Sequence, residues 1–395
     1  MYSSTLFFGA VLVVYMAINI YMLIRLFLTL AGCGIFRGVS CFIFIFFALC
    51  FPLGRMLAVK SPGRVSDLFL VLGTLYLAPM IYGFILTLIA DFLRLLNSIV
   101  VITHTPPPFS QSTRVEIVFA VLLLSFMITL AGAWNTYNPV VIRHELTYKS
   151  DGGSLISTPP AIRIAVISDL HLGVFLGTRY LKKIVEITAA EYPDIILFTG
   201  DTIDDAGWMS NQKRRQETAE LLSSLTPRLG MWAVMGNHDY YAGIDEFRRF
   251  LDETPIKLLK DEAVIPNGEL LLVGRDDRTV MRSGVKRPTI GDIIRNSLGE
   301  AGWRAGLIPM IVMDHQPFDL GDSASSGATL QVSGHTHRGQ IFPINFIVAL
   351  MYEKHYGLYR KGDTHYYITS GAGVWGPPVR TSGRPEVVIL DLKRD

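Results

Sequence analysis

The chain has 395 residues, half of them hydrophobic and only 18% charged, with 36 Lys and Arg against 34 Asp and Glu for a net charge of +2. That length predicts two or three domains, the charge content is low for a soluble protein, and a balanced sign without a basic tract gives nucleic acid no footing. Cys33, Cys41 and Cys50 all lie in the apolar first third, which excludes a disulfide framework and a zinc-finger spacing.

Residues 1–135 hold seven Lys or Arg and three acids, with apolar runs near 4–31, 38–54, 66–93 and 115–135. A helix needs about 20 apolar residues to cross a bilayer. Three runs meet that length, and the second is shorter and carries Pro52. Four transmembrane helices are therefore predicted, in a domain over 1–148. A cleaved signal peptide does not fit the first run, because no basic stretch precedes it and the apolar segment is too long. Arg25, Asp91 and Arg94 lie near run ends, where snorkelling toward the headgroups is the simplest account. With a cytoplasmic N-terminus, Arg55, Lys60, Arg64, Arg143 and Lys149 fall inside and Arg37, Arg94 and Arg114 outside. The positive-inside rule then favours a cytoplasmic C-terminal domain, and the expected setting is the cell inner membrane, crossed several times.

"KSDGGSLISTPP" (149–160) reads as a linker, and 161–395 as one globular domain. In that domain five β-like runs each end in metal-ligand residue types. "AIRIAVIS" leads to Asp169 and His171, "DIILFTG" to Asp201, and "GMWAVMG" to Asn237 and His238. "LIPMIVM" leads to Asp314 and His315, and "ATLQVSG" to His335 and His337. Helical patterns such as "TRYLKKIVEITAAEY" (178–192) lie between them, so an α/β layered fold is predicted. Ligands bind beyond the carboxyl ends of strands in such folds. Residues two apart on an extended segment share a side, so Asp169/His171 and His335/His337 can each grip one site from one edge. A lone histidine after a strand is usually structural. Five of the nine histidines here follow such strands, each beside Asp, Asn or another His.

Asp169, His171, Asp201, Asn237, His315, His335 and His337 make seven candidate ligands. Two metals take four each if one carboxylate bridges. Mixed carboxylate, amide and imidazole donors suit two divalent ions, Mn²⁺ first, with Fe or Zn²⁺ as the alternatives. Two such ions against two aspartates leave a positive surplus that suits an anionic phosphate. Metals about 3.5–4 Å apart clamp attacking and leaving oxygens and activate water.

"DLH" (169–171), "GDTID" (200–204), "GNHD" (236–239), His315 and "GHTH" (334–337) resemble the signature of the calcineurin-like metallophosphoesterases, over about residues 160–395. The resemblance implies a β-sandwich flanked by helices, joined here to the α-helical transmembrane bundle. It implies that Asp169, His171, Asp201 and His337 hold one metal and Asp201, Asn237, His315 and His335 the other. It also implies that His238 assists the leaving oxygen and that Asp204 orients His238. "GHTHRGQIFP" and "SGAGVWGPPVR" (370–380) resemble more narrowly a membrane-attached bacterial branch, some of whose relatives cleave the pyrophosphate of UDP-2,3-diacylglucosamine.

"FPINFIVALM" (342–351) is too short to span a bilayer. Its plain reading is a core helix or strand. Its functional reading is an apolar flap, with Phe346 and Leu350 against acyl chains and Tyr352, Tyr356 and Tyr359 at its polar edge. Arg338 and Arg380 are candidates for phosphate or headgroup contact, or equally for structural ion pairs. "NQKRRQ" (211–216) reads as a solvated helix start sooner than a headgroup contact. The expected partner is a membrane lipid or lipid-linked phosphate, and the expected activity is metal-dependent phosphoester or pyrophosphate hydrolysis. A phosphodiesterase without lipid preference and a metal-dependent membrane sensor are the rivals.

Overall fold

The computed structural model describes residues 2–61, 63–100, 111–149, 161–204, 206–299 and 308–395. It divides into two compact units, Met1–Ala133 and Trp134–Asp395.

The first unit is helical: α1 (Tyr2–Thr29), α2 (Ile35–Lys60), α3 (Arg64–Val100) and α4 (Gln111–Thr136), the last running to the first residues of the second unit. All four are long and apolar enough to cross a membrane, including α2 with Pro52 inside it. Helices that lack a hydrophobic drive to associate in lipid pack through small residues. Here Gly54 and Gly73 let α2 and α3 touch, since a Cβ at Gly73 would stand 2.3 Å from the Phe51 nitrogen. Snorkelling does not describe Asp91. Its carboxylate pairs with Arg25, accepts from Arg94 Nη1 at 2.9 Å, and accepts from the Tyr21 hydroxyl at 2.6 Å. An ion triad satisfies charge within the helices, which is less costly in lipid than exposing it.

The second unit holds two six-stranded sheets. The first contains β1 (Val140–Tyr148), β2 (Ala161–Ile167), β3 (Ile195–Thr199), β4 (Met231–Val234), β5 (Ile256–Leu258) and β12 (Glu386–Arg394), in the order β1-β12-β2-β3-β4-β5. The second contains β6 (Glu262–Val264), β7 (Leu271–Gly274), β8 (Met310–Met313), β9 (Leu330–Ser333), β10 (Gly357–Lys361) and β11 (Thr364–Ile368), in the order β10-β11-β9-β8-β7-β6. The helices are α5 (Thr178–Ala189), α6 (Ala206–Ser210), α7 (Gln212–Ser223), α8 (Asn237–Ala242), α9 (Ile244–Asp252), α10 (Ile290–Leu298), α11 (Leu320–Ser325) and α12 (Ile344–Met351).

Side-chain alternation explains the layers. Along β2, Ile162, Ile164 and Val166 enter the core between the sheets, where Leu272, Ile311, Met313 and Val332 meet them. Ala165 and Ile167 face the other way, against Leu181, Ile184 and Val185 of α5. A third core joins the outer face of the second sheet to Ile290, Ile293 and Ile294 of α10. Both faces of the central strands are buried, so they read as unbroken apolar runs. The result is the expected sandwich flanked by helices.

The structure moves the domain boundary. Residues 140–148, expected at the end of the membrane domain, form β1, which pairs in parallel with β12 over its whole length. The second unit thus starts near Trp134, and the expected linker lies outside the described residues from 150 onward. Arg143 lies in β1 and pairs with Glu191, and Lys149 directly follows that strand. Both stay within about 20 residues of the end of α4, so both still count under the positive-inside rule.

Candidate metal centre

All five predicted strands exist, and the loops after β2, β3, β4, β8 and β9 carry the seven expected ligands. Three groups of donor atoms lie within 4.8 Å of one another: Asp169/His171/His337, Asp201/His315/His335 and His171/Asp201/His238. The first two reproduce the two expected ligand sets apart from the shared Asp201 and the amide of Asn237.

Asp201 is the hinge between them. Its Oδ2 lies 3.2 Å from His315 Nε2 and 3.8 Å from His171 Nε2. His171 Nε2 and His337 Nε2 face each other at 3.0 Å, and His337 Nε2 is 3.4 Å from Asp169 Oδ1. Imidazole nitrogens gathered this way among buried carboxylates form a cation's coordination sphere. The His315 tautomer is set from behind, because Nδ1 donates to the Thr199 carbonyl at 2.7 Å and leaves the Nε2 lone pair for a metal. His315 Nε2 is buried without an aligned hydrogen-bond partner, as is Asn237 Oδ1. Buried polar atoms are rarely left this way, and a bound divalent ion would satisfy both.

The backbone is bent to make this possible. Asp169, His171, Asp201, His335 and His337 all have positive φ, from 46° to 69°. Such conformations are costly for non-glycine residues and cluster at functional sites. Two motif glycines are steric necessities. A Cβ at Gly236 would lie 2.1 Å from Asp201 Oδ1, and one at Gly334 would lie 2.2 Å from Asp169 Oδ2. Gly236→Ala is expected to weaken metal binding by about tenfold or more, the size seen when support for a ligand is lost. Metal content after dialysis against graded chelator measures it, and wild-type retention would contradict the steric account.

His238 is only partly buried, with its side chain 24% exposed. Its Nδ1 is 2.7 Å from Asp204 Oδ1. Burial opposes the imidazolium, but the hydrogen bond to Asp204 and the charges of Asp201, Asp204 and Asp239 outweigh it, so the His238 pKa stands above its ordinary value. Burial also works against the Asp204 carboxylate, yet hydrogen bonds from His171 and His238 hold its pKa well below the usual range. Asp204 Oδ1 lies 3.2 Å from His171 Nδ1 as well. The residue expected to orient His238 therefore also contacts a candidate metal ligand.

Sequence reasoning missed two residues. Asp239, fully buried, accepts from the backbone N–H groups of Thr202, Ile203 and Gly236, tying together the loops that carry Asp201 and Asn237. It sits inside "GNHD", so the motif held the signal. Gln340 donates to the Trp375 and Pro377 carbonyls at 2.9 and 3.2 Å; it sits inside "GHTHRGQIFP", but its partner loop is more than 30 residues away in the chain.

The substrate candidates separate. Arg380 is 1% exposed and donates to the Ser370 carbonyl, with Nη2 at 3.0 Å from His337 Nδ1. It is a buried brace behind a ligand, which corrects its reading as a headgroup contact. Arg338 is half-buried, with its guanidinium 4.3 Å above the Tyr356 ring. Phe346 and Leu350 belong to α12, a helix with no buried residue, so the core reading of that segment fails. Its base is held where Asn345 packs on Gly339, while Phe346, Ile347, Leu350 and Met351 stay exposed, Leu350 at 89%. Tyr352 at its end lies 6.2 Å from the His335 ring. Asn211 caps α7 by accepting from the Arg214 N–H, so "NQKRRQ" is a helix start.

A profile described as calcineurin-like phosphoesterase matches residues 162–339. An uncharacterized metallophosphoesterase of Campylobacter jejuni is 28% identical over 97% of both chains. One from Aquifex aeolicus is 32% identical over 59% of this chain and 85% of its own. A zebrafish (Danio rerio) transmembrane protein with a metallophosphoesterase domain is 30% identical over 72% of this chain and 63% of its own length.

Proposed function

The chain belongs to the calcineurin-like metallophosphoesterases, metal-dependent phosphohydrolases, and from that premise we propose that it is a membrane-bound, dinuclear enzyme cleaving a phosphodiester or pyrophosphate bond of a lipid-linked substrate. A UDP-2,3-diacylglucosamine type of substrate fits that class. Asp169, His171, Asp201 and His337 would hold one ion and Asp201, Asn237, His315 and His335 the other. Mn²⁺ is the ion we assign, with Fe or Zn²⁺ also matched to these donors. Bound divalent ions supply charge neutralisation at the phosphoryl oxygens and an activated water. The chain's own part is to orient. Asp204 accepts at Nδ1 of His238 and raises its pKa, which keeps a proton at Nε2 for the leaving oxygen.

The observation that carries the lipid preference is the open apolar stripe of α12, which follows the His335/His337 pair in the chain. The same polypeptide supplies its lipid setting: α4 ends at Thr136 and β1 begins at Val140. A short, exposed apolar helix so tethered can hold acyl chains. We assign the protein to the inner membrane. A reporter fused after Asp395 and active on one side only decides whether the catalytic unit faces the cytoplasm.

Mass-spectrometric turnover by the Mn²⁺-loaded protein in detergent tests the reading. The panel holds UDP-2,3-diacylglucosamine, phospholipids and a soluble aryl phosphodiester, with Asp201→Ala as control. Cleavage of the soluble ester alone would favour a phosphodiesterase without lipid preference. Phe346→Ser combined with Leu350→Ser is expected to raise KM for the lipid by about tenfold, from the loss of apolar contact, and to spare the small ester. Equal loss on both substrates would make α12 structural.

A further inference from the structure

We propose that Trp375 and Tyr241 form a leaving-group subsite for a planar aromatic ring; the assignment of its role rests on the phosphoesterase reading. Both rings stand against His238, the residue that faces the leaving oxygen. The Tyr241 ring centroid lies 5.6 Å from that of His238 and the Trp375 centroid 6.4 Å. Both side chains are more than half exposed. Isolated exposed aromatics are ordinary, but two beside one proton donor are not scattered.

The loop that carries Trp375 is anchored while its ring is left free. Gln340 Nε2 donates to the Trp375 carbonyl at 2.9 Å, and the Trp375 N–H donates to Gln340 Oε1 at 3.3 Å. Ala372 N–H donates to the Ser168 carbonyl at 2.7 Å, next to Asp169. Gly373 closes the approach, since a Cβ there would stand 2.1 Å from the Leu170 carbonyl oxygen. A fixed backbone with an open indole is preorganised for stacking, which loses little entropy when a flat ligand arrives. On the other side Arg282 Nη1 donates to the Tyr241 hydroxyl at 2.9 Å, and its guanidinium is 5.9 Å from the ring centre. That brings a cation to the rim, suited to a second anionic group on a ring-bearing leaving group. Aryl alcohols and nucleosides share this chemistry.

Calorimetric titration of the full-length, Mn²⁺-loaded protein tests it with probes whose C–P bonds are not hydrolysed: methylphosphonate, phenylphosphonate and a nucleotide analogue with a methylene phosphonate in place of its phosphate ester. Phenylphosphonate should bind about tenfold more tightly than methylphosphonate, the size of one stacking contact. Trp375→Ala and Tyr241→Ala should each shrink that ratio toward one, and Trp375→Phe, which keeps a ring, should retain part of it. Metal content of each variant reports that the site is assembled. Tighter binding of the nucleotide analogue than of phenylphosphonate, lost in the same variants, would name the nucleobase as the natural ring; the reverse order would name an aryl group. Equal affinity for methyl- and phenylphosphonate in the wild type, or a ratio unmoved in Trp375→Ala and Tyr241→Ala alike, overturns the subsite. Ring preference without hydrolysis of any ester would sink the phosphoesterase reading alone, and hydrolysis without ring preference would sink the subsite alone.

Discussion

Asp201→Asn should lower bound metal from two ions per chain to one or fewer and reduce turnover by about 10³-fold or more. The substitution is close to isosteric and keeps the fold's use of this side chain. Asp201 Oδ1 accepts from the His238 backbone N–H at 2.7 Å, and an asparagine oxygen can do the same. What it removes is the charge and the second oxygen, Oδ2, which lies between His315 Nε2 and His171 Nε2. An amide nitrogen there would turn a donor toward two ligand nitrogens and offer a cation nothing. Charge stabilisation by paired ions is worth several kcal/mol in the transition state, and about 1.4 kcal/mol is tenfold in rate. Elemental analysis by plasma mass spectrometry, with turnover of an aryl phosphodiester, measures both. A variant that keeps two ions would show that Asp201 does not bridge.

The clustering of the candidate ligands was legible in the sequence because strand-end chemistry is local. Once β2, β3, β4, β8 and β9 are recognised as strands, the residues after them must converge at one end of the sheets, whatever the loop details. Global pairing is not local, and β1 shows it. "VVIRHELTY" has the β-branched character of a strand, but its partner β12 lies more than 240 residues away, and an adjoining transmembrane helix drew the boundary past it. Burial is likewise a tertiary outcome. "INFIVALM" is apolar enough for a core, and only the packing of Asn345 on Gly339 leaves its stripe open. Arg380 shows the converse, because a cation in a Gly/Pro-rich loop looks like a surface contact until Ser370 and His337 are seen to enclose it.

His238→Ala should cost about 10²–10⁴-fold in kcat, the usual worth of a positioned general acid, with metal content unchanged. The structure offers a competing role, since His238 also lies within reach of His171 and Asp201 as a third donor group. One observation favours the acid: the His238 side chain is 24% exposed and so open to a substrate, whereas those of His171 and His315 are fully buried. A ligand would lose metal on substitution, whereas an acid would lose only rate. Asp204→Asn separates the two further. It weakens the acceptor shared by His238 and His171, so it should lower kcat through the first and loosen metal through the second, by the 10–100-fold typical of a ligand's support. The sensor reading makes the opposite prediction for His238→Ala: metal binding intact, and no turnover to lose in either protein. Loss of turnover without loss of metal is compatible with an enzyme alone, because only a reacting substrate needs a proton delivered to its leaving oxygen.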